Sequence, residues 1–290
     1  MRIDSHHHIW DLKAVSYPWL EARGQRRFFG DPTPIQRDYL IDEFRVTAAG
    51  HGVEASVHVQ VGAEDPLAET RWVDGVAAAN PGWPAAQVAF ADLTRPDLDR
   101  QLETLGALPS VRGIRQIVGR SPAEDSATGT NRLLGHPRFL AGLRMIAAAG
   151  LSFDLQLLPE LMADSARVFG QVPELPVVIC HAGSPHDRTP DGLRFWSREL
   201  GRLSILPNMH CKISGLGMFD PDWNRESIRP IVETCLEQFG PDRCMFGSNF
   251  PVDSLSSEYG ELIDVFSVLI PDSAHSRVFG RTASRFYRLE

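Results

Sequence analysis

The chain has 290 residues, enough for one large domain or two small ones and for a sizeable core. Apolar residues make up 43% and charged residues 23%, which excludes disordered and fibrous chains. Acidic residues outnumber basic ones by 37 to 29, a net charge of -8 with no basic run to offset it, which excludes a dedicated nucleic-acid binder. No apolar stretch approaches the roughly 18 residues of a membrane helix. The first residues read as a strand and not as a secretory signal. Cys180, Cys211, Cys235 and Cys244 show no CxxC spacing. They fit the buried thiols of a soluble, cytoplasmic protein.

Short apolar or β-branched runs alternate with amphipathic stretches along the chain. Strands are predicted over residues 2–6, 54–59, 86–90, 111–116, 151–155, 176–180, 209–214 and 243–247. Each is short and mostly apolar, as expected of parallel strands covered on both faces. Helices are predicted over 39–49, 67–79, 98–105, 137–149, 160–169, 192–200, 228–239 and 258–269, with Gly or Pro at many ends. Eight strand–helix units in this length predict a (β/α)8 TIM barrel, one domain over 1–290. A doubly wound open sheet is the alternative, and the absence of GxGxxG after the first strand weighs against it. The loop over 10–38 is long and rich in Pro, Arg and aromatics, and reads as a flap over the site. Residues 118–130 read as a second, mobile loop.

The start, RIDSHHHIWD, places three histidines in a strand pattern. Alternate side chains share a face, so His6 and His8 point together and His7 points away. At the C-terminal mouth of a barrel, two imidazoles can bind one divalent metal or hydrogen-bond a substrate oxygen. The sixth strand ends in PVVICHAGSP, putting His181 at the same mouth as a third ligand or a catalytic imidazole. His186 reads as exposed, and His7 and His210 as structural. The eighth strand, RCMFGSNFPVDS, turns at Gly247 and Ser248 and brings Asn249 and Asp253 to the mouth.

These motifs, with CKISGL in the seventh strand and a VFGRTASRFYRL ending, resemble the amidohydrolase superfamily over nearly the whole chain. The branch resembled is amidohydrolase-2, which holds L-fuconolactonases and 2-pyrone-4,6-dicarboxylate lactonases. The resemblance implies a barrel whose mouth hydrolyses a lactone. It also implies that His6, His8 and His181 hold a metal (Zn or Mn) or the substrate carbonyl. The aspartate that usually activates water is replaced here by Asn249, which near neutral pH takes no proton and brings no negative charge. Either Asp253 or His181 then serves as the base, or a weakly held metal ionises its own water; metal-independent catalysis is the other side of the same departure.

At or beyond strand ends, Gln60, Arg115, Gln156 and Lys212 are candidate substrate contacts, Arg115 for a carboxylate or a developing oxyanion. Trp10 and Trp19 are candidates for an apolar wall. Arg23, Arg26 and Arg27 of the first loop permit an acidic ligand. The expected activity is hydrolysis of a small polar lactone, a sugar-acid or carboxylated one. The expected partner is a small-molecule lactone or organic acid, with neither nucleic acid nor membrane, and a homo-oligomer is left open. The alternatives are decarboxylation of an unsaturated or aromatic acid, and a barrel that binds a metabolite without turning it over.

Overall fold

In the computed structural model, which describes residues 1–289, eight parallel strands follow one another in chain order. They are β1 (Ile3–His7), β2 (Ala55–Val59), β3 (Ala86–Ala89), β4 (Val111–Ile114), β5 (Ser152–Leu155), β6 (Val177–Ile179), β7 (Met209–Ile213) and β8 (Cys244–Phe246). All are buried on both faces except at Arg112 and His210, in keeping with strands that are short and mostly apolar, β1 (IDSHH) being the polar exception. The helices in chain order are α1 (Pro18–Glu21), α2 (Ile41–Ala49), α3 (Pro66–Ala79), α4 (Leu98–Gly106), α5 (Pro122–Thr128), α6 (Phe139–Ala148), α7 (Met162–Phe169), α8 (Pro190–Ser204), α9 (Arg225–Phe239), α10 (Tyr259–Leu269), α11 (Asp272–Ser276) and α12 (Thr282–Tyr287). The architecture is a (β/α)8 barrel, and the open-sheet alternative falls. No helix of the described residues is long and apolar enough to cross a membrane.

Local chemistry sets several boundaries. Asp65, Ser121 and Thr189 each accept a backbone N–H at the start of a helix, and each is followed by a proline that has no N–H to satisfy. The Ser121 cap, with Pro122 behind it, turns part of the expected loop at 118–130 into α5. The first loop is likewise more ordered than its composition suggested. It carries α1 and a short 3-10 turn, and Trp10 bridges to Tyr39 at its far end.

The β8–β1 seam closes by individual hydrogen bonds in place of a long ladder. Ser5 donates to the Phe246 carbonyl (2.6 Å), the Asn249 amide to the His6 carbonyl (2.7 Å), and the His8 amide to the Phe250 carbonyl (2.7 Å). The buried Asp4 carboxylate accepts from the backbone amides of Ser248 and His6, both at 3.0 Å. A register shift between Asp4 and His7 marks a bulge in β1. Gly247 is required here, because a Cβ would lie 2.6 Å from that of His6.

The barrel interior is apolar toward the bottom, where Val57, Val88, Val178 and Met245 meet Phe286 and Tyr287 of α12. One ion pair interrupts it. Lys212 donates to Asp154 at 2.6 Å, both fully buried, and the Tyr287 hydroxyl donates to the same carboxylate at 2.9 Å. Removing one member of such a pair leaves a bare buried charge. Asp154→Asn should therefore lower the unfolding free energy by about 3–5 kcal/mol, measured by urea denaturation. A loss within ±0.5 kcal/mol would show that the Lys212 ammonium finds other partners.

Candidate active site

At the C-terminal ends of the strands lies a cavity of about 480 Å³. Its floor carries His8, Gln60, Arg115, Gln156, His181 and Asn249. One wall comes from the first loop, through Trp19, Arg27, Phe28 and Phe29. His6 lies fully buried beside this floor, its ring 5.1 Å from that of His8 and 4.6 Å from that of His181. Both of its ring nitrogens lack a protein partner among the described residues. His7 points to the helix layer and stacks on Phe44 of α2 at 3.9 Å.

His181 is held by an unusual backbone. His181, Ala182, Gly183 and Ser184 all have φ between 51° and 70°, a left-handed turn in which three residues bear a Cβ and are strained. The Ala182 carbonyl accepts from Trp196 of α8 at 2.7 Å, and the His181 carbonyl from the Ser184 amide at 2.8 Å. The imidazole Nδ1 lies 3.1 Å from the Ser214 hydroxyl, and Nε2 has no protein partner among the described residues. Burial, with the charges of Arg115 and Lys212 contributing, pushes the pKa of His181 well below the ordinary value. His6 and His8 are shifted the same way, again chiefly by burial.

Arg115 is the other unusual group. Arg115 is 4% exposed, and among the described residues its guanidinium has no carboxylate partner. It donates to the Gln156 side-chain oxygen (3.1 Å) and to the Gln60 carbonyl, and its Nε is unpaired.

A hydrogen-bonded chain runs from His8 behind the floor. His8 Nδ1 faces the Val59 carbonyl at 2.7 Å, Nε2 lies 3.3 Å from the Asn249 side-chain oxygen, and the Asn249 amide donates to Asp253 at 2.8 Å. A carbonyl only accepts, so Nδ1 carries the proton, and Nε2 can donate to the amide oxygen only in the imidazolium. A neutral His8 instead takes the amide –NH2, and a protonated Asp253 then donates to the amide oxygen. Burial raises the Asp253 carboxyl to a pKa of about 7 and lowers that of His8, both favouring the neutral arrangement.

Several sequence expectations land away from the cavity. Asp253 is buried behind Asn249 and does not line it. Lys212 is spent on Asp154 in the interior, and Trp10 is fully buried with its indole N–H donated to Arg37. His186 is partly exposed and lies 3.0 Å from Glu160. The sequence reading missed Phe28, Phe29, Gln116 and Met218 as lining residues. The adjacent pair Phe28 and Phe29 in the first loop was the available signal.

The donors at the floor fit a divalent cation poorly. The imidazoles could ligate one, but an unneutralised guanidinium stands beside them and, among the described residues, no carboxylate at the floor offsets two positive charges. Among the described residues, no group of three or more His, Cys, Asp or Glu side chains is arranged to hold a metal ion.

Residues 3–289 match the amidohydrolase family model. The chain belongs to the amidohydrolase family. Its relatives include protein y4mH of Sinorhizobium fredii, 36% identical over 99% of this chain and 98% of that one. An L-fucono-1,5-lactonase of Burkholderia multivorans is 30% identical over 100% of this chain and 96% of its own. A solved amidohydrolase from Burkholderia multivorans with bound zinc superposes over the full length of both chains with a TM-score of 0.84 and 26% identity. This amidohydrolase thus aligns over its whole length with a lactonase relative in sequence.

Gly215 tests how the site is held. Its φ is +62°, and a Cβ there would lie 2.4 Å from His181 Nδ1. Gly215→Ala should move the imidazole and lower turnover by about 100-fold, the scale of a 1 Å misplacement, while the far-ultraviolet circular dichroism is retained. Unchanged turnover would mean that the position of His181 does not matter to the reaction.

Proposed function

We propose that this barrel hydrolyses a small lactone by attack of water on the ring carbonyl. The observation that carries the reading is a buried guanidinium, Arg115, that among the described residues has no carboxylate partner and shares a cavity floor with a His181 Nε2 likewise without a partner. A cation removed from water and left unpaired gains most from an anion brought to it. Lactone hydrolysis creates one at the reacting carbonyl. The relationship to an L-fucono-1,5-lactonase supports the same bond class.

In this reading the carbonyl oxygen lies against Arg115, which stabilises the tetrahedral oxyanion. His181 is kept neutral by burial. With Nδ1–H donated to Ser214, its Nε2 lone pair accepts a proton from the attacking water. When the intermediate collapses, the ring C–O bond breaks and the imidazolium returns that proton to the departing oxygen. The product is a hydroxy acid. Asn249 and Asp253 act through His8 as positioning residues, holding its ring at the floor. No step passes through a metal, in keeping with the donor set.

Acid release from a lactone panel, followed with a pH indicator, tests the activity. His181→Asn should lower kcat strongly, and unchanged lactonase activity in that variant would refute its role as base. Arg115→Gln should lower kcat/KM by about 100- to 1,000-fold, the scale of removing one oxyanion donor. Arg115→Lys should restore little of it, because an ammonium cannot reproduce the planar fork. Protein pre-treated with chelator should keep its rate, and full loss with recovery on added zinc would overturn the metal-free proton path.

A further inference from the structure

Resting on the lactonase reading, the distribution of spare hydrogen-bonding groups points to the class of lactone. A polyhydroxylated ring needs acceptors along the walls of its site. Here most of the polar side chains of the walls and rim are already used within the protein. The Gln60 oxygen accepts from the Gly62 amide (2.8 Å) and its nitrogen donates to the Arg115 carbonyl (3.4 Å). Gln116 accepts from the Leu93 amide (3.0 Å) and donates to Asp92 (3.1 Å). The Trp19 indole N–H is given to the Val61 carbonyl at 2.7 Å. At the rim, Arg27 makes two 3.1 Å hydrogen bonds to Glu124, which Arg120 also approaches at 3.3 Å. The lining carboxylate that is left is Glu64, exposed at the edge.

What remains spare is concentrated at the floor: His181 Nε2, the Gln156 side-chain nitrogen and Arg115. That set suits one carbonyl, its oxyanion and one water. The opposite wall is aromatic. Trp19 meets Phe29 edge to face at 6.2 Å, Phe29 meets Phe28 at 5.1 Å, and Phe28 stacks on Phe219 at 5.2 Å. The Arg27 guanidinium, part of the same wall and paired with Glu124, lies 5.7 Å from the Trp19 ring and 6.0 Å from that of Phe29. A cavity of about 480 Å³ also has room for much more than a lactone ring.

We propose that the substrate is a sparsely hydroxylated lactone whose ring carries a flat or extended apolar substituent, seated against Trp19, Phe28 and Phe29. The polar end reacts at the floor, and the apolar end supplies binding energy at the wall by leaving water.

The test compares kcat/KM for a phenyl-substituted δ-lactone, a butyl-substituted δ-lactone and an aldono-1,5-lactone, with spontaneous hydrolysis subtracted. The substituted lactones should be preferred by about tenfold or more, the scale of one good apolar contact in a specificity pocket. The double variant Phe28→Ala, Phe29→Ala should erase most of that preference, mainly by raising KM for the phenyl lactone, and Phe28→Leu should restore part of it. Turnover of the aldonolactone equal to or faster than that of the substituted compounds would overturn the inference and leave the lactonase reading standing. Turnover of none of the three would remove the lactonase reading and the inference with it.

Discussion

The arrangement of the site depends on one buried carboxylate at the seam of the barrel. Asp4 accepts from the amides of His6 and Ser248 and from the Tyr259 hydroxyl at 3.0 Å, tying β1 to the turn after β8 and to α10. Burial raises its pKa, and those hydrogen bonds oppose the rise. The same seam sets where His6, His8 and Asn249 stand. Gly247 allows β8 to approach His6, and the bulge in β1 lets Asp4 and His7 face the helices while His6 and His8 face the mouth. A larger residue at Gly247 would act on the chemistry through the fold.

Charge placement follows the same economy. Two cations are buried in the barrel, Arg115 at the cavity floor and Lys212 in the interior below it, and among the described residues only Lys212 pairs with a carboxylate. Lys212 with Asp154 and Tyr287 forms a neutralised layer beneath the histidines. Arg115 is left with neutral acceptors, so its charge is available to the cavity. Both cations lower the proton affinity of the imidazoles above them, a contribution that adds to burial. The site therefore holds neutral bases next to a fixed positive charge. That is the electrostatic pattern needed to make an anion from a neutral ester and water.

How much of this was legible in the sequence differs from element to element. The eight strands and eight of the helices were readable because parallel strands buried on both faces leave apolar runs, and the outer helices keep a polar face. The pairing of His6 with His8, and the opposite direction of His7, followed from strand periodicity even though a bulge precedes them. The expected helix and loop limits failed where a cap decided the matter, as at Ser121 before Pro122. Side-chain partners were the less legible part. Arg115 and Lys212 both sit at the C-terminal ends of strands, and nothing local tells which one meets a carboxylate. Asp154 lies 58 residues from Lys212, and Tyr287 a further 75 residues on. Asp253 read as a base at the mouth because it lies four positions past Asn249. Its direction was set by a left-handed backbone at Asn249, with φ 59°, that turns the following segment behind the floor.

Where the sequence resemblance implies an aspartate this chain has Asn249, and the surroundings of the amide make sense of that departure. A carboxylate at this position would face a second one, Asp253, through the 2.8 Å contact that the amide now bridges. Two buried carboxylates at that distance cannot both ionise. The amide removes the repulsion and links His8 to Asp253, at the loss of a proton acceptor at the mouth. The loss is tolerable only if another group accepts the proton of water. His181 is placed for that, on a strained left-handed turn whose cost is met by the hydrogen bond from Trp196 to Ala182 and by the space that Gly215 leaves beside the ring. In the proposed lactonase reading, the strain at His181 and the amide at 249 are two parts of one arrangement, with the sixth-strand imidazole as the proton acceptor.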